Sequence, residues 1–308
     1  MTAAPPSGMG PRDFAVAAAM NILWGLNIIA VKMAVDAVEP FTAALLRQLL
    51  VFAICLPALR IVPGRMRALL ALGALSGGLF YVAINLSLAV ADNVSALAIA
   101  GQLGVPFSML LAVIVLKERI HLARLGGVAL AMGGVAMLVF DPAIASESLG
   151  IGLTAIGSFI WAACSLIQRR LIGVPVLTIY AWVGLMGALV LLPVALWFEP
   201  QAVRAIPAIP LADFGWIVFS AAGSTVIGQG AMSWLLQRHP VSSVVPLTLA
   251  APVISVIVAS LFFATPLTPM MILGGVVALT GVAIVTIRTA RVKEAADAGR
   301  DRDSVAKS

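Results

Sequence analysis

Polar and aromatic side chains interrupt long apolar stretches of this sequence. The stretch NILWGLNIIAVK (21–32) places Asn21, Trp24, Asn27 and Lys32 within an arc of about 140° on a helix. Lipid cannot satisfy an amide, so this face is predicted to point away from lipid. It would then either bind a solute in a cavity or hold neighbouring helices together through amides.

Similar groups recur along the chain at helical spacing. Tyr81 and Asn85 lie four residues apart, and so do Gln229 and Ser233. Aromatic residues near span ends often form an interfacial belt, which fits Trp197 better than residues nearer mid-span. The residues predicted to bind substrate are Asn21, Trp24, Asn27, Tyr81, Asn85, Gln102, Trp161, Trp182, Gln229 and Ser233.

The chemistry of this set is non-covalent recognition. A cavity lined by apolar and aromatic groups with a few neutral amides suits an amphipathic solute with a hydrophobic or aromatic side chain. A nucleotide sugar or phosphorylated compound would need several buried cations. The sequence has no HExxH motif, no Walker motif and no paired carboxylate within a predicted span, so we expect no enzyme, no ATP hydrolysis, no metal and no cofactor.

Two cations, Lys32 and Arg47, and two mid-span prolines at corresponding places in the two halves are further candidate functional residues. Lys32 is predicted to decorate the outer rim, where it can snorkel or pair with Asp36. Arg47, roughly 10 Å below the outer end of its span, is expected to snorkel or to pair with Asp92 or Glu39, as a structural group at the mouth. The gating residues are predicted to be Pro106 and Pro252, because proline removes a helix hydrogen bond and kinks the helix; static kinks are the alternative.

The elements that position these residues are membrane spans. The chain has 308 residues, is 62% hydrophobic and 10% charged, and has a mean hydropathy of +1.10. Soluble domains have about 25% charged residues, so the composition predicts an all-α integral membrane protein. Ten segments reach the roughly 20 apolar residues that a spanning helix needs. They lie near 14–33, 41–62, 67–90, 94–115, 121–140, 149–168, 176–198, 212–236, 242–264 and 270–288.

The distribution of basic residues predicts the orientation. With a cytoplasmic N-terminus, 16 of the 19 Lys and Arg residues fall on the inner side. This positive-inside pattern places both termini in the cytoplasm and explains the net charge of +6 without a nucleic-acid partner. Arg outnumbers Lys 15 to 4 in an Ala-rich chain, which suggests a bacterial genome and therefore the inner (cytoplasmic) membrane.

The two halves of the sequence resemble each other. GGVALAMG (126–133) aligns with GGVVALTG (274–281), and nearby Pro106 aligns with Pro252. Five spans per copy would make an inverted repeat around a central cavity, as in many secondary transporters. The predicted division is a tail at 1–12, repeats at 13–141 and 142–288, and a disordered tail at 289–308. Gly127/Ala131 and Gly274/Ala278 predict close helix packing, within one chain or in a dimer.

These features resemble the drug/metabolite transporter superfamily, EamA family, and among its members the YddG-like exporters of aromatic and other neutral amino acids. The resemblance covers the whole chain and rests on WGLN (24–27), Arg47 and the Glu-containing link and Gly-rich helix in 105–138. In the second copy, Ala264–Thr265 stand where the family usually has Gly-Glu. The resemblance implies a basket of ten helices with spans 1, 3, 4, 6, 8 and 9 lining the cavity.

The predicted function is a secondary transporter that exports aromatic or neutral amino acids by alternating access. An exporter of cationic drugs or other metabolites is the main alternative; a passive channel or an intramembrane enzyme is more remote. The expected partners are a small-molecule substrate and membrane lipids, with a monomer favoured over a dimer. Because no carboxylate lies deep in a predicted span, we expect a facilitator or an exporter with loose proton coupling.

Overall fold

The computed structural model describes residues 9–117, 122–236, 238–239 and 241–305. The regular structure of these residues is helical, and ten segments are long and apolar enough to cross a membrane, as predicted. They are α1 (Pro11–Val38), α2 (Pro40–Ala58), α3 (Met66–Val90), α4 (Val94–Val115), α5 (Leu122–Val139), α6 (Pro142–Leu171), α7 (Val176–Phe198), α8 (Leu211–Leu236), α9 (Pro246–Phe263) and α10 (Pro269–Ile287).

The ends of the chain differ from the sequence prediction at one place. The helix that contains α10 continues to Val305, so the prediction of a disordered tail at 289–308 is wrong for 289–305. This segment contains four Ala and three Arg residues, which are strong helix formers. Most of the predicted N-terminal tail, and Glu118 of the family-like link, lie outside the described residues.

Non-α turns occur at matching places in two pairs of spans. A π segment covers Gly73–Leu79 in α3, and another covers Phe219–Gly228 in α8. A 3-10 turn covers Gly101–Leu103 in α4, and another covers Val245–Leu249 at the start of α9. The same irregularity therefore recurs in the third and fourth span of each half. This recurrence supports the predicted duplication, while the inverted relation of the two halves stays a prediction.

Small residues bring α5 and α10 into backbone contact. A Cβ placed on Gly134 would lie 2.4 Å from both Ala278 N and Gly274 O, and one on Gly281 would lie 2.3 Å from Ala131 N. Helices in a bilayer gain little from the hydrophobic effect when they associate. Close approach of their backbones provides the van der Waals contacts that hold them together instead. The contact predicted from the small-residue pattern thus lies within this chain.

A second set of glycines packs α7 against α2 and α3. A Cβ on Gly184 would lie 2.6 Å from Phe52 N, and one on Gly77 would lie 2.3 Å from Val183 O. Gly25 in α1 meets Ile254 of α9, where a Cβ would lie 2.4 Å from the side chain. These contacts arrange α1–α4 and α6–α8 around a central cavity, with α5 and α10 packed against each other outside it.

We expect Gly134→Ala to lower the free energy of unfolding by about 1–3 kcal/mol, because the added methyl group meets backbone that cannot rotate away. The matched control is Gly133→Ala, since a Cβ there meets nothing within 4 Å. Replacing glycine within a helix favours folding by roughly 0.5–1 kcal/mol, so the control should be as stable as wild type or more so. Thermal unfolding of both purified variants in detergent measures the difference. Equal melting temperatures would contradict the observed packing.

Candidate functional site

A cavity of about 460 Å³ lies between the helices. Its volume falls within the roughly 300–1,000 Å³ range of small-molecule sites. The prediction that spans 1, 3, 4, 6 and 8 line it is met, but α9 contributes no lining residue among those described, and α2 and α7 do. The lining residues are Trp24, Asn27, Val31, Arg47, Gln48, Ser76, Phe80, Tyr81, Ile84, Gly101, Gln102, Ser158, Trp161, Tyr180, Val183, Ser224, Thr225 and Gln229.

Six of the ten residues predicted to bind substrate border this cavity: Trp24, Asn27, Tyr81, Gln102, Trp161 and Gln229. The two tryptophans are held differently. Trp24 donates its indole N–H to Ser224 O at 3.1 Å and packs on Gly228, where a Cβ would lie 2.4 Å from Trp24 Nε1. Trp161 tilts against Phe80, with ring centroids 5.7 Å apart, and remains 39% exposed. Its ring is therefore available to an occupant.

Two predicted amides instead bind the protein backbone. Asn21 is buried and donates to Ala17 O, one turn back in its own helix, at 2.7 Å. Asn85 is buried and donates to Pro40 O at 2.9 Å, which ties α3 to the start of α2. Neither lines the cavity. The alternative reading, in which an amide holds neighbouring helices together, applies to Asn85, whereas Asn21 bonds within its own helix.

The other two predicted residues, Trp182 and Ser233, also lie away from the cavity lining. Trp182 donates its indole N–H to Arg60 O at 2.8 Å and packs in an apolar cluster formed mainly by α3, α6 and α7. Ser233 is one turn beyond Gln229 on α8, and only Gln229 reaches the cavity. Two residues on the same face of a helix can therefore lie at different depths in the membrane, and only one of them need reach the cavity.

The two predicted gating prolines each follow a 3-10 turn. Pro106 comes after Gly101–Leu103 in α4, and Pro252 comes after Val245–Leu249 in α9. Neither proline lines the cavity, but Gln102 within the first of these turns does. The interruptions lie at matching places in the two halves, and their role in gating stays a prediction.

Arg47 does not have the partners that the sequence predicted. It pairs with neither Asp92 nor Glu39, and it is 6% exposed, in the cavity wall. Its Nε donates to Ser220 Oγ at 2.7 Å and its Nη2 donates to Thr225 Oγ1 at 2.6 Å. The Cζ atom lies 4.1 Å from the centroid of the Tyr81 ring, a cation–π contact.

The hydroxyl partners of Arg47 are fixed in turn by α8 and α1. Ser220 donates to Asn27 Oδ1 at 2.8 Å, and Thr225 donates to Ser220 O at 3.2 Å. The last bond spans five residues, which is the spacing that a π-helix brings together. The π segment of α8 therefore places both hydroxyls beside the guanidinium, with their lone pairs toward it.

Gln48 is a second lining residue that the sequence prediction missed. It is 1% exposed, and neither its amide nitrogen nor its amide oxygen has a hydrogen-bond partner. Buried polar atoms nearly always find partners, so an orphaned amide beside a cavity needs an explanation. Its position next to Arg47 in an otherwise apolar helix was the available signal.

The charge of the cavity wall is positive. Arg47 is a permanent cation, and the lining, as far as the structure describes it, includes no Asp or Glu. Lys32 is elsewhere: its Nζ lies 3.0 Å from Asp36 Oδ1 and donates to Leu88 O at 2.8 Å. The predicted Lys32–Asp36 pair is confirmed.

Comparison with known proteins identifies the family. The EamA-like transporter family matches residues 14–140 and, a second time, residues 148–287. The chain belongs to the EamA-like transporter family. It is therefore a multi-pass membrane transporter, and the two family matches coincide with the two halves that resemble each other in sequence.

The chain is similar in sequence to several proteins over most of its length. A "Probable amino-acid metabolite efflux pump" of Escherichia coli (strain K12) is 27% identical over 90% of this chain and 95% of its own length. A protein of the same name from Salmonella typhimurium (strain LT2) is 27% identical over 92% and 99%. An "Uncharacterized transporter" of Archaeoglobus fulgidus is 27% identical over 89% and 98%. One crystal structure, 19% identical, has the same fold, with a TM-score of 0.61 over 92% of this chain and 99% of its own.

The exposure of Trp161 generates a labelling prediction. In a variant whose buried Cys55 and Cys164 are replaced by alanine, Trp161→Cys should react with a water-soluble maleimide, because position 161 opens on the cavity. The matched control is Ala162→Cys, since Ala162 is fully buried. We expect at least about a tenfold difference in labelling rate, because a thiol must reach water to react. Mass spectrometry of the intact protein measures the rates, and equal rates would show that the cavity does not admit water.

Proposed function

We propose that this EamA-family transporter exports aromatic and other neutral amino acids, or metabolites derived from them, across the bacterial inner membrane by alternating access. The observation that carries the proposal is the cavity itself. Its wall combines aromatic faces from Trp24, Trp161 and Tyr81 with the amides of Gln102 and Gln229. Aromatic faces bind an apolar side chain, and amides bind a polar backbone end.

The names of two relatives are consistent with this proposal. Both are named probable amino-acid metabolite efflux pumps. Their sequences align with this chain over 90% and 92% of its length. These names describe the relatives themselves. The composition of the cavity wall is our reason for proposing a similar function for this chain.

Alternating access is supported by the interrupted helices. The breaks in α3 and α4 recur in α8 and α9, and interrupted helices in matching halves are typical of secondary transporters. We infer that Pro106 and Pro252 let α4 and α9 bend during opening. Since one chain builds the whole cavity, we propose that a monomer transports.

Lipophilic cations fit this cavity less well. Carboxylates would stabilise a cationic drug most strongly, but the described lining includes no Asp or Glu and instead holds the cation Arg47, which covers the Tyr81 ring. Repulsion between like charges in a site of low dielectric opposes such a ligand.

Reconstituted transport tests the proposal. In vesicles that hold only this protein, labelled phenylalanine or leucine should enter with saturable kinetics and show counterflow. Trp161→Ala should lower the flux by about tenfold, because an aromatic contact worth roughly 1 kcal/mol is lost together with its buried area. Gln102→Ala should lower it as well.

The matched control for Trp161→Ala is Trp197→Ala, since Trp197 is 82% exposed and lies outside the cavity. Its flux should equal that of wild type. Flux that rises linearly with concentration and lacks counterflow would indicate a channel, and an absence of flux for every amino acid would refute the cargo assignment.

The orientation has its own test. The basic residues predict that both termini face the cytoplasm. A fluorescent protein fused to the C-terminus should therefore fluoresce, and an alkaline phosphatase fused there should be inactive. A tag at the N-terminus should be protected from protease added outside the cell until the membrane is permeabilised. Termini on opposite sides would rule out the inverted repeat.

A further inference from the structure

The guanidinium of Arg47 lacks a counter-charge. Burying a cation costs several kcal/mol unless it is paired. The carboxylates of the described residues lie elsewhere: Glu199 accepts from the backbone N–H of Phe41 and Thr42 at the start of α2, and Asp36 pairs with Lys32. Arg47 itself has only neutral partners, the two hydroxyls and the Tyr81 ring.

Part of the guanidinium is also unused. An Arg side chain carries five N–H donors in a planar fork. Two of them, on Nε and Nη2, bind Ser220 and Thr225. The remaining three have no protein partner in the described structure, and the residue borders the cavity. Two parallel N–H groups of such a fork match the two oxygens of a carboxylate.

Neighbouring groups hold the fork in place before a ligand arrives. The Tyr81 ring covers one face of the guanidinium plane, and the hydroxyls of Ser220 and Thr225 fix its rotation. The Asn27 amide in turn fixes the Ser220 hydroxyl. Such preorganisation lowers the entropy that a bound anion would otherwise cost.

The orphaned amide of Gln48 adds an independent observation. Both of its polar atoms are buried without a partner, one residue from Arg47 and at the wall of the same cavity. A small turn of the side chain toward an occupant would give the amide N–H an acceptor. An anion with two oxygens could satisfy Arg47 and Gln48 together.

We propose that Arg47 and Gln48 form a carboxylate subsite, and that the preferred cargo is an amphipathic monocarboxylate whose amino group is dispensable. The described lining offers an ammonium group neutral amide and hydroxyl oxygens and aromatic faces but no Asp or Glu, and the Arg47 charge repels it. The subsite therefore favours net anions, such as amino-acid derivatives with a removed or blocked amine, over zwitterions and cations. The inference rests on the proposed function and specifies its substrate class.

Three matched probes test the charge preference on the purified full-length protein by isothermal titration calorimetry. They are 3-phenylpropanoate, which lacks the amine, L-phenylalanine, and L-phenylalaninamide, which lacks the carboxylate. We expect 3-phenylpropanoate to bind at least as tightly as phenylalanine, and phenylalaninamide to bind about tenfold to a hundredfold more weakly than either, because it lacks the charged hydrogen bonds.

Two variants test the residues. Arg47→Gln should weaken binding of 3-phenylpropanoate by about tenfold to a hundredfold and leave phenylalaninamide unchanged or tighter. Gln48→Leu removes an unpartnered buried amide, so its melting temperature should be unchanged or higher while its affinity for 3-phenylpropanoate falls. If Gln48 had only a structural role, Gln48→Leu would instead lower the melting temperature and leave the affinity for 3-phenylpropanoate unchanged. Arg204→Gln, at an exposed position outside the cavity, is the control and should bind all probes like wild type.

The outcomes separate the two claims. If phenylalanine is transported, but phenylalaninamide binds equally well or Arg47→Gln keeps the affinity for 3-phenylpropanoate, the carboxylate subsite is refuted and the exporter proposal stands. If a well-folded wild-type protein neither binds nor transports any of the three probes, both proposals fail. Should Arg47→Gln not fold, the Gln48→Leu result and the probe series on wild type decide the question.

Discussion

Close contact between helices through small residues is the constraint on which the rest of this structure depends. Lipid is as apolar as the side chains facing it, so helices in a bilayer gain little from hydrophobic burial and must associate by tight packing. Gly134 and Gly281 place α5 against α10, while Gly77 and Gly184 place α7 against α3 and α2. The Gly184 contact meets the backbone of Gln48 and Phe52, so it also sets the position of the cavity wall beside Arg47.

The cavity wall then follows from how polar groups are satisfied away from water. Most of them bind backbone or one another: Asn85 binds Pro40 O, Ser220 binds Asn27, and Thr225 binds Ser220 O. The π segment in α8 makes this possible, because its wider turn brings residues five apart onto one side. Among the buried residues of the described cavity lining, unsatisfied groups remain on Arg47 and Gln48, which is where an occupant would be recognised.

Arg47 also connects the two halves of the chain. It belongs to α2, yet its hydrogen-bond partners lie in α8, 173 and 178 residues away, and its aromatic partner lies in α3. In the alternating access that we propose, one half moves against the other and such interactions would break or re-form. A group that binds the free part of the guanidinium would then act at a junction that this movement rearranges.

Hydropathy and helical periodicity were sufficient to predict much of the fold. They located ten spans, and the small-residue pattern found the contact between α5 and α10. Six of the ten predicted site residues border the cavity, because an amide or indole in mid-span is costly to leave in lipid. The errors at Asn21, Asn85, Trp182 and Ser233 have a common cause: a helical wheel gives the direction of a side chain, but not which neighbour it meets or at what depth.

The sequence by itself determined that this chain is a bundle of ten membrane helices with inward-facing polar groups, because composition and periodicity are properties of each segment alone. Only the tertiary structure decided which of those groups meet. The sequence suggested the carboxylates of Asp92 and Glu39 as partners of Arg47, whereas in the folded protein Arg47 binds the hydroxyls of a π segment in the other half. That choice depends on how closely glycines let distant helices approach, and on the wider turn of one helix, neither of which a local pattern records.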